Sequence, residues 1–494
     1  MISSRTVKTE DLVADIVVIG GGGAGLAAAR AAAEKGAGVV VLDKRGLGGS
    51  SAMSFGIFAV ESPVQQRQNI ASSKDDYFKQ TIEYYQWRVN PRILRTFIDK
   101  SGDTIRWLEE KGMEFMLFAD GDIPKEEQKV LTWHVPPTGG VEIIQSLAKT
   151  CRELGVQILL HTPARKILTS ANGEITGVLA KAKGTAITIK TKSVIIATGG
   201  FGGNRRWLKK YCPEYRDNMV CLGQLNMGDG LAMATGIGAG TDGLGQLLLS
   251  GPVYMHDIYY DFTPGPDPIR LPLEGGSHQP NMLWVNKRGE RFIDESVGHH
   301  HVFDHAIARQ PEGFVYSLMD QTLLEKIGER YSHSPGPGKI KAGPRRLFGQ
   351  EAEANKDPVK VADSLTEMAK WIGADPEVLI ATVAEYNAVC DKGFDDVFMK
   401  APQYLIPLRT PPFYAIRWHA SFQNTIGGIK INEHFEVLDK LDKPLPGVYA
   451  AGVDTGGWET ETHYPKLTGH AFGYAVNSGR IAGENAAEFV NVSK

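Results

Sequence analysis

The chain has 494 residues, 42% of them hydrophobic and 22% charged, with a formal net charge of −3. This composition is typical of a folded protein of two or three domains and argues against disorder and against a nucleic-acid partner. The four cysteines form no C-x-x-C pair, which argues against an iron–sulfur cluster, a structural zinc site or a disulfide framework. Residues 1–14 contain no signal core and no apolar run is long enough to span a membrane, so we expect a cytoplasmic protein.

Residues 15–44 predict a nucleotide-binding unit of strand, turn, helix and strand. A short β-branched strand is followed by glycines at the G-x-G-x-x-G spacing, namely Gly20, Gly22 and Gly25. This spacing allows a tight turn, close approach of a diphosphate and close packing of the next helix, which is rich in alanine. Asp43 ends the second strand, near the roughly 20-residue offset at which a carboxylate binds ribose hydroxyls. The motif leaves FAD and NAD open, and a glycine-rich loop without a ligand is the alternative.

The next part of the chain contains helices, a hairpin and a second glycine-rich strand end. Residues 91–111 have helical apolar spacing and predict two helices broken near Ser101-Gly102. Residues 156–160 predict a strand, and Asn172-Gly173 predicts a hairpin turn between strands at 164–168 and 175–180. A buried strand then ends in Ala197-Thr198-Gly199-Gly200, where small residues let the backbone close on a ligand.

A change in composition after residue 247 predicts an inserted domain. Residues 248–415 are rich in histidine, proline and aromatic residues, with a helical part from about Val359 to Ala388. Residues 445–487 then predict a strand, a glycine-rich turn and an alanine-rich helix that opens at Thr468-Gly469. The predicted fold class is therefore α/β, with a nucleotide-binding domain in 1–247 and 416–494 and a capping domain between them.

In their order and spacing, these motifs resemble the FAD-binding subunits of the fumarate reductase and succinate dehydrogenase flavoprotein family. The resemblance covers most of the chain and rests also on Gly49-Ser50-Ser51-Ala52, Asn226-Met227-Gly228-Asp229-Gly230 and Thr425-Ile426-Gly427-Gly428. It implies a Rossmann-like FAD-binding domain of the glutathione-reductase type with an inserted α+β capping domain. The residues that it assigns to FAD are Gly20, Gly22, Gly23, Ala24, Gly25, Asp43, Lys44, Gly49, Ser50, Ser51, Ala164, Ala197, Thr198, Gly199, Gly200, Asp229, Gly452, Asp454, Thr468 and Gly469.

Two departures from the family pattern change what the resemblance implies. Ser50 stands near the place where membrane fumarate reductases have a histidine that tethers the flavin, so we expect noncovalent FAD. The places of the cationic groups that bind a dicarboxylate read Gln423-Asn424, Lys466 and, in the capping domain, Leu323. A C4-dicarboxylate pocket is thus poorly supported, because two carboxylates need cationic partners.

The last loop is similar to that of 3-ketosteroid dehydrogenases, which desaturate a bond beside a ketone. The similarity rests on His463-Tyr464-Pro465. It implies that the Tyr464 hydroxyl and a helix-start amide polarise a carbonyl. Lys466 is a candidate clamp for a substrate carboxylate, and His299, with Glu295, is a candidate acid–base group. The alternatives are a packing tyrosine and a surface lysine.

The remaining polar candidates are weaker. Consecutive histidines at 299–301 point in different directions and lack a completing acid or cysteine, so we expect no metal site. His134 and His419 are expected to be structural, and Glu459 and Glu461 to be solvated loop acids.

The predicted function is that of an FAD-dependent oxidoreductase that acts on a CH–CH bond next to a carbonyl, by hydride transfer to or from flavin N5. The expected partners are a small carbonyl substrate and an unidentified electron acceptor or donor, with the oligomeric state open. The alternatives are a fumarate-like enoate reductase, an electron-transfer subunit of a larger complex and an NAD-dependent dehydrogenase. The last would leave the second and third glycine motifs unexplained.

Overall fold

The computed structural model describes residues 12–118, 131–182, 184–221, 223, 226–249, 280–297, 300–332, 359–460 and 468–492. The strands of these residues are β1 Leu12–Val13, β2 Ile16–Ile19, β3 Val39–Leu42, β4 Ile57–Phe58, β5 Met116–Phe118, β6 Trp133–Val135, β7 Gln157–Leu159, β8 Ala164–Thr169, β9 Ile175–Ala182, β10 Thr185–Lys190, β11 Ser193–Ile196, β12 Val220–Cys221, β13 Thr241–Leu249, β14 Leu283–Asn286, β15 Phe314–Asp320, β16 Val359–Ala362, β17 Phe413–His419, β18 Ser421–Ile429, β19 Glu436–Leu438 and β20 Pro444–Ala450. The α-helices are α1 Gly23–Glu34, α2 Pro63–Arg67, α3 Lys74–Tyr84, α4 Pro91–Glu109, α5 Gly140–Glu153, α6 Arg205–Tyr211, α7 Asp229–Gly236, α8 His300–Ala308, α9 Gln321–Ser332, α10 Leu365–Ile372, α11 Pro376–Lys392 and α12 His470–Val492.

The central sheet has the order β19-β20-β11-β2-β3-β7, and all neighbours except β19 and β20 are parallel. Its inner strands β2, β3 and β11 are buried along their whole length, as expected of a parallel sheet covered by helices on both faces. Ile19, the last residue of β2, pairs with Leu42 on one side and Ile196 on the other. Ile196 in turn pairs with Ala450. The four strands therefore end together, and the segments that follow them meet at one edge.

Helices α1 and α12 pack closely, which explains why α1 is so rich in alanine. A Cβ atom added at Gly479 would lie 2.1 Å from the carbonyl oxygen of Ala24, and one at Gly483 would lie 2.2 Å from that of Ala28. Such distances leave room for hydrogen atoms and for no side chain, so both partners must be small. The contact joins the first helix of the described residues to the C-terminal helix.

The predicted break at Ser101-Gly102 is wrong, because α4 runs without interruption from Pro91 to Glu109. A Cβ atom at Gly102 would lie 2.4 Å from the carbonyl oxygen of Val60. Gly102 therefore allows a neighbouring backbone segment to approach the helix, and it does not end the helix. A glycine that serves a tertiary contact carries the same local signal as a helix breaker.

The predicted hairpin at Asn172-Gly173 is confirmed. Strands β8 and β9 pair antiparallel within the sheet β1-β10-β9-β8. Ser170 donates its backbone N–H to the carbonyl of Glu174 at 2.8 Å, and Gly173 has φ of +85°. The turn residues alone were sufficient here, because the hairpin is closed by local hydrogen bonds.

The capping region is built on the sheet β14-β15-β17-β16 and has a hydrophobic core of its own. The helical prediction from Val359 is wrong at its start, because β16 pairs antiparallel with β17 and only then do α10 and α11 follow. The strand β17 ends at His419, and the domain boundary at 415 stays a prediction. No helix among the described residues is long and apolar enough to cross a membrane.

Candidate functional site

The glycine turn lies at the carboxyl end of β2, where α1 begins. A Cβ atom added at Gly25 would lie 1.9 Å from the carbonyl oxygen of Gly20, so the helix packs directly on the turn. At Gly22, by contrast, the nearest atom would be 3.6 Å away, and this N-cap residue of α1 has no side chain to cover the helix start. An N-cap glycine leaves the helix start open to a diphosphate, so the turn fits the phosphates of FAD.

Asp43 and Lys44 follow β3 and lie beside this turn. The Asp43 carboxylate accepts the N–H of Gly21 at 2.8 Å and that of Arg45 at 2.7 Å, which fixes its orientation next to the glycines. Lys44 forms a 2.6 Å ion pair with Asp229 at the start of α7. The structure thus brings together three residues assigned to the cofactor, while their contacts with a nucleotide stay a prediction.

Ser50 and Ser51 belong to a short 3₁₀-helix, Gly49–Met53, that passes next to the start of α1. Ser51 accepts the N–H of Gly23 at 3.3 Å. Ser50 belongs to an amide network: Asn226 donates to the Ser50 hydroxyl at 3.3 Å and to the Asn424 side-chain oxygen at 3.1 Å. Ser50, which stands near the place of the tethering histidine in membrane fumarate reductases, therefore contacts uncharged groups. The three residues lie in separate motifs of the sequence, and no local pattern predicts their network.

The turn Ala197 to Gly200 after β11 is tied to the turn after β20 through Asp454. The buried Asp454 carboxylate accepts hydrogen bonds from the Thr198 N–H, from the Thr198 hydroxyl at 3.0 Å and from the Gly200 N–H at 2.8 Å. Burial raises the pKa of Asp454, and the three donors offset part of that effect. A Cβ atom at Gly452 would lie 3.0 Å from Ala24 Cβ, so this turn also reaches the first turn of α1. The glycine-rich turns that follow β2, β11 and β20 are therefore the three glycine motifs, and they form one continuous candidate site.

Two further cofactor candidates lie at the edges of the site. Ala164 is the buried first residue of β8, a strand that packs against α7. Gly469 immediately precedes α12, and its carbonyl accepts the N–H of Phe58 at 3.1 Å. His470, the first residue of α12, is fully buried and stacks on Phe97 with a ring separation of 5.2 Å. The start of α12 is therefore anchored to β4 and α4.

Three of the four catalytic candidates, Tyr464, Lys466 and His299, lie outside the described residues. Glu295 is described and is fully buried in the capping region. Its carboxylate pairs with Arg291 at 2.8 and 3.0 Å and lies 3.3 Å from the Lys400 ammonium. Burial lowers the pKa of Lys400. Glu295 thus belongs to a buried ion-pair cluster, and its part in proton transfer stays a prediction.

The weaker polar candidates have mixed outcomes. His134 is fully buried, its ring nitrogens contact Ser62 at 2.7 Å and the Thr132 carbonyl at 2.9 Å, and burial lowers its pKa to about 4. Glu459 was expected to be solvated, which is wrong: only 4% of it is exposed, and it accepts a 3.3 Å hydrogen bond from Tyr85. Within the described ranges, no three His, Cys, Asp or Glu side chains are grouped to hold a metal ion.

The fold and the site define a dinucleotide-binding α/β protein with a capping region. Residues 15–464 match the family model of the FAD binding domain, and the chain belongs to this family. It is 33% identical over 489 residues to the vinyl phenol reductase of Lactiplantibacillus plantarum, with 97% of each chain covered.

Solved structures agree with this assignment. The open conformation of a flavocytochrome c3 fumarate reductase superposes with a TM-score of 0.75 at 27% identity, over 98% of this chain and 79% of that one. The 3-ketosteroid Δ1-dehydrogenase of Sterolibacterium denitrificans superposes with a TM-score of 0.76 at 20% identity, over 98% and 100% of the chains, and so shows the fold alone. The resemblance to fumarate reductase flavoproteins is thereby confirmed. The chain is an FAD-dependent oxidoreductase of a family that acts on carbon–carbon double bonds.

Proposed function

We propose that this protein reduces a carbon–carbon double bond conjugated to a neutral oxygen-bearing group, such as a ketone or a phenol. The observation that carries this proposal is the amide network of Ser50, Asn226 and Asn424. Asn424 stands where fumarate-binding members of the family have a cationic residue, and a neutral amide cannot balance a carboxylate charge. The vinyl phenol reductase, which is similar over 97% of its length, supports a substrate of this kind.

Reduction is the favoured direction because the relative that is 33% identical is a reductase. The desaturating ketosteroid enzyme shares only 20% identity, which supports the fold and not the direction. A fumarate-like dicarboxylate reductase is the second candidate, since the flavocytochrome c3 fumarate reductase superposes at 27% identity.

The residues that would hold FAD are those of the continuous glycine site. When bound there, FAD would supply the hydride that adds to one alkene carbon. In our proposal for a conjugated ketone, the Tyr464 hydroxyl and the amide of Gly469 donate to the substrate oxygen and stabilise the negative charge that develops on it as the hydride adds to the β-carbon. For a vinyl phenol, loss of the hydroxyl proton and protonation of the terminal alkene carbon come first; the hydride then adds to the resulting quinone methide, and the same donors stabilise the phenolate oxygen. His299 donates the proton to the other alkene carbon. Glu295, held by Arg291 and Lys400, positions the segment that leads to His299.

We also propose that FAD is bound without a covalent link. Ser50 cannot form the histidyl bond of membrane fumarate reductases, and it is engaged with Asn226 and Asn424. Acid precipitation of the purified protein should therefore release all of the flavin into the supernatant, measured by absorbance and fluorescence. Flavin fluorescence that stays with the washed, denatured chain would contradict a noncovalent cofactor.

The proposed function is tested by substrate-dependent oxidation of the reduced flavin. The protein is reduced anaerobically with dithionite and mixed with 2-cyclohexenone, 4-vinylphenol or fumarate while the flavin absorbance is followed. We expect rapid reoxidation by at least one of the two neutral compounds and little by fumarate. Rapid reoxidation by fumarate alone would establish the dicarboxylate alternative, and no reoxidation by any compound would favour an electron-transfer subunit.

The same measurement with Tyr464→Phe tests the proposed donor. Loss of one oxyanion hydrogen bond typically lowers the rate by roughly a hundredfold or more. An unchanged single-turnover rate would remove Tyr464 from the mechanism.

The remaining expectations concern the partner and the location. A reductase needs an electron donor that reduces its flavin, and we propose a small soluble reductant or a separate redox protein. A cytoplasmic location remains our proposal. It is supported by the four unpaired cysteines Cys151, Cys212, Cys221 and Cys390, as expected of a reducing compartment. Oxidation of these thiols to disulfides in protein isolated under thiol-blocking conditions would contradict that location.

A further inference from the structure

Trp133, the first residue of β6, has a buried indole nitrogen whose partner is not found in the described part of the chain. A tryptophan N–H that is buried usually finds a hydrogen-bond acceptor, because leaving it unpaired sacrifices its hydrogen bonds to water without replacement. Trp133 is not among the residues proposed to hold FAD or to donate to the substrate. Its indole N–H therefore needs an acceptor that the described residues do not supply.

The ring of Trp133 lies beside the start of α12. A Cβ atom added at Gly469 would lie 2.8 Å from Trp133 Cδ1. Phe58 pairs with Trp133 across β4 and β6, and it also donates its N–H to the Gly469 carbonyl. One turn further along α12, Phe472 reaches the glycine turn, since a Cβ atom at Gly23 would lie 2.7 Å from its ring. The indole is thus held at the same end of α12 that borders the cofactor turn.

Phe55 packs against this indole and is exposed to solvent. Its ring meets that of Trp133 edge to face at a centroid distance of 6.1 Å and an interplanar angle of 82°. Phe55 is nevertheless 69% exposed. A single exposed apolar side chain is ordinary, but here it continues the surface of an indole with a buried, unmatched donor. The two rings together form an apolar surface next to this buried donor, which suits a planar ligand that carries an oxygen.

We propose that Phe55 and Trp133 form an aromatic wall of the substrate site and select planar, cyclic substrates over short open-chain alkenes. The substrate ring packs on Phe55, and the Trp133 indole N–H donates to the oxygen of the substrate. This inference rests on the proposed function and narrows its substrate class to aromatic or cyclic compounds. Stacking on aromatic rings and one additional hydrogen bond supply the discrimination, since acrylate or fumarate has no ring to pack there.

The test uses a ligand that cannot be reduced, so that binding is measured apart from turnover. The FAD-loaded protein is titrated with 4-ethylphenol, and the perturbation of the flavin spectrum yields a dissociation constant. Trp133→Phe keeps a ring and removes the N–H, and we expect it to weaken binding by about tenfold, the effect of one hydrogen bond. Phe55→Leu keeps an apolar side chain and removes the ring, and we expect a loss of about threefold to tenfold.

Matched controls are Trp87→Phe and Phe394→Leu, which make the same changes at exposed positions. Both should bind 4-ethylphenol as the wild type does. Unchanged dissociation constants in Trp133→Phe and Phe55→Leu, or an absence of any spectral response in the wild type, would overturn the aromatic wall. If 4-ethylphenol binds in a Trp133-dependent manner but no alkene reoxidises the flavin, the wall stands and the proposed reaction fails. An equal increase in KM for acrylate and for 4-vinylphenol in Trp133→Phe and Phe55→Leu would show a general packing defect. That result would also overturn the proposed selectivity.

Discussion

Gly25→Ala should produce folded protein that has lost FAD. The new methyl group would sit 1.9 Å from the Gly20 carbonyl oxygen, far inside van der Waals contact. Relief requires α1 to move away from the turn that is to hold the diphosphate. Overpacking of this kind costs about 3 kcal/mol, which would raise the dissociation constant for FAD roughly a hundredfold. The measurement is the ratio of flavin absorbance to protein after gel filtration.

The matched control for this substitution is Gly46→Ala, in the exposed segment between Asp43 and the 3₁₀-helix. A Cβ atom at Gly46 would meet nothing within 4 Å. Gly46→Ala should therefore retain a full complement of FAD. Stoichiometric FAD in Gly25→Ala, with a circular dichroism spectrum like that of the wild type, would show that the glycine turn does not hold the cofactor.

Asp454→Ala should have the largest effect on stability. The substitution leaves the N–H groups of Thr198 and Gly200 and the Thr198 hydroxyl without their buried acceptor. Buried donors without partners cost roughly 1–3 kcal/mol each, and partial relaxation leaves an expected loss of about 3 kcal/mol in the free energy of unfolding. Because Thr198 also accepts the N–H of Gly230 at 3.0 Å, the change should loosen the start of α7 as well. Urea unfolding of the FAD-free protein measures the loss without the contribution of the cofactor.

Asp439→Ala is the control for Asp454→Ala. Asp439 also accepts two backbone N–H groups, from Leu441 at 2.7 Å and from Lys443 at 2.9 Å, but it does so at the surface. Water can replace its carboxylate there, so little change in the unfolding midpoint is expected. Similar midpoints for Asp454→Ala and Asp439→Ala would contradict the structural role assigned to Asp454.

Elements specified by neighbouring residues could be predicted from the sequence. The hairpin at Asn172-Gly173 and the turn before α1 depend on backbone conformations that only a few residue types adopt, so their residues are diagnostic. The predictions of a helix break at Gly102 and of a helix starting at Val359 were wrong for a common reason. In both cases a distant segment decides the outcome, the Val60 carbonyl in one and the pairing with β17 in the other.

The residues of the candidate site also fall into those that a local pattern predicts and those that only the folded chain brings together. The glycine motifs and Asp43 could be proposed from the sequence because nucleotide binding imposes a fixed spacing along one βαβ unit. The hydrogen bonds that Asp454 accepts from Thr198 and Gly200 join residues more than 250 positions apart, and no local pattern predicts them. The sequence does not single out Trp133 as a candidate for the same reason. Its candidacy depends on its position beside Gly469 and on its buried N–H, which exist only in the folded chain.

By itself, the sequence determined that this protein has a dinucleotide-binding α/β fold and, through its three glycine motifs, that it resembles fumarate reductase flavoproteins. Those features depend on backbone requirements that short segments satisfy alone. Only the tertiary structure decided which of these side chains meet: Asn226 with Ser50 and Asn424, and Trp133 with Phe55. Such contacts depend on the distance between strands that end at the same edge, and this distance is a property of the folded chain.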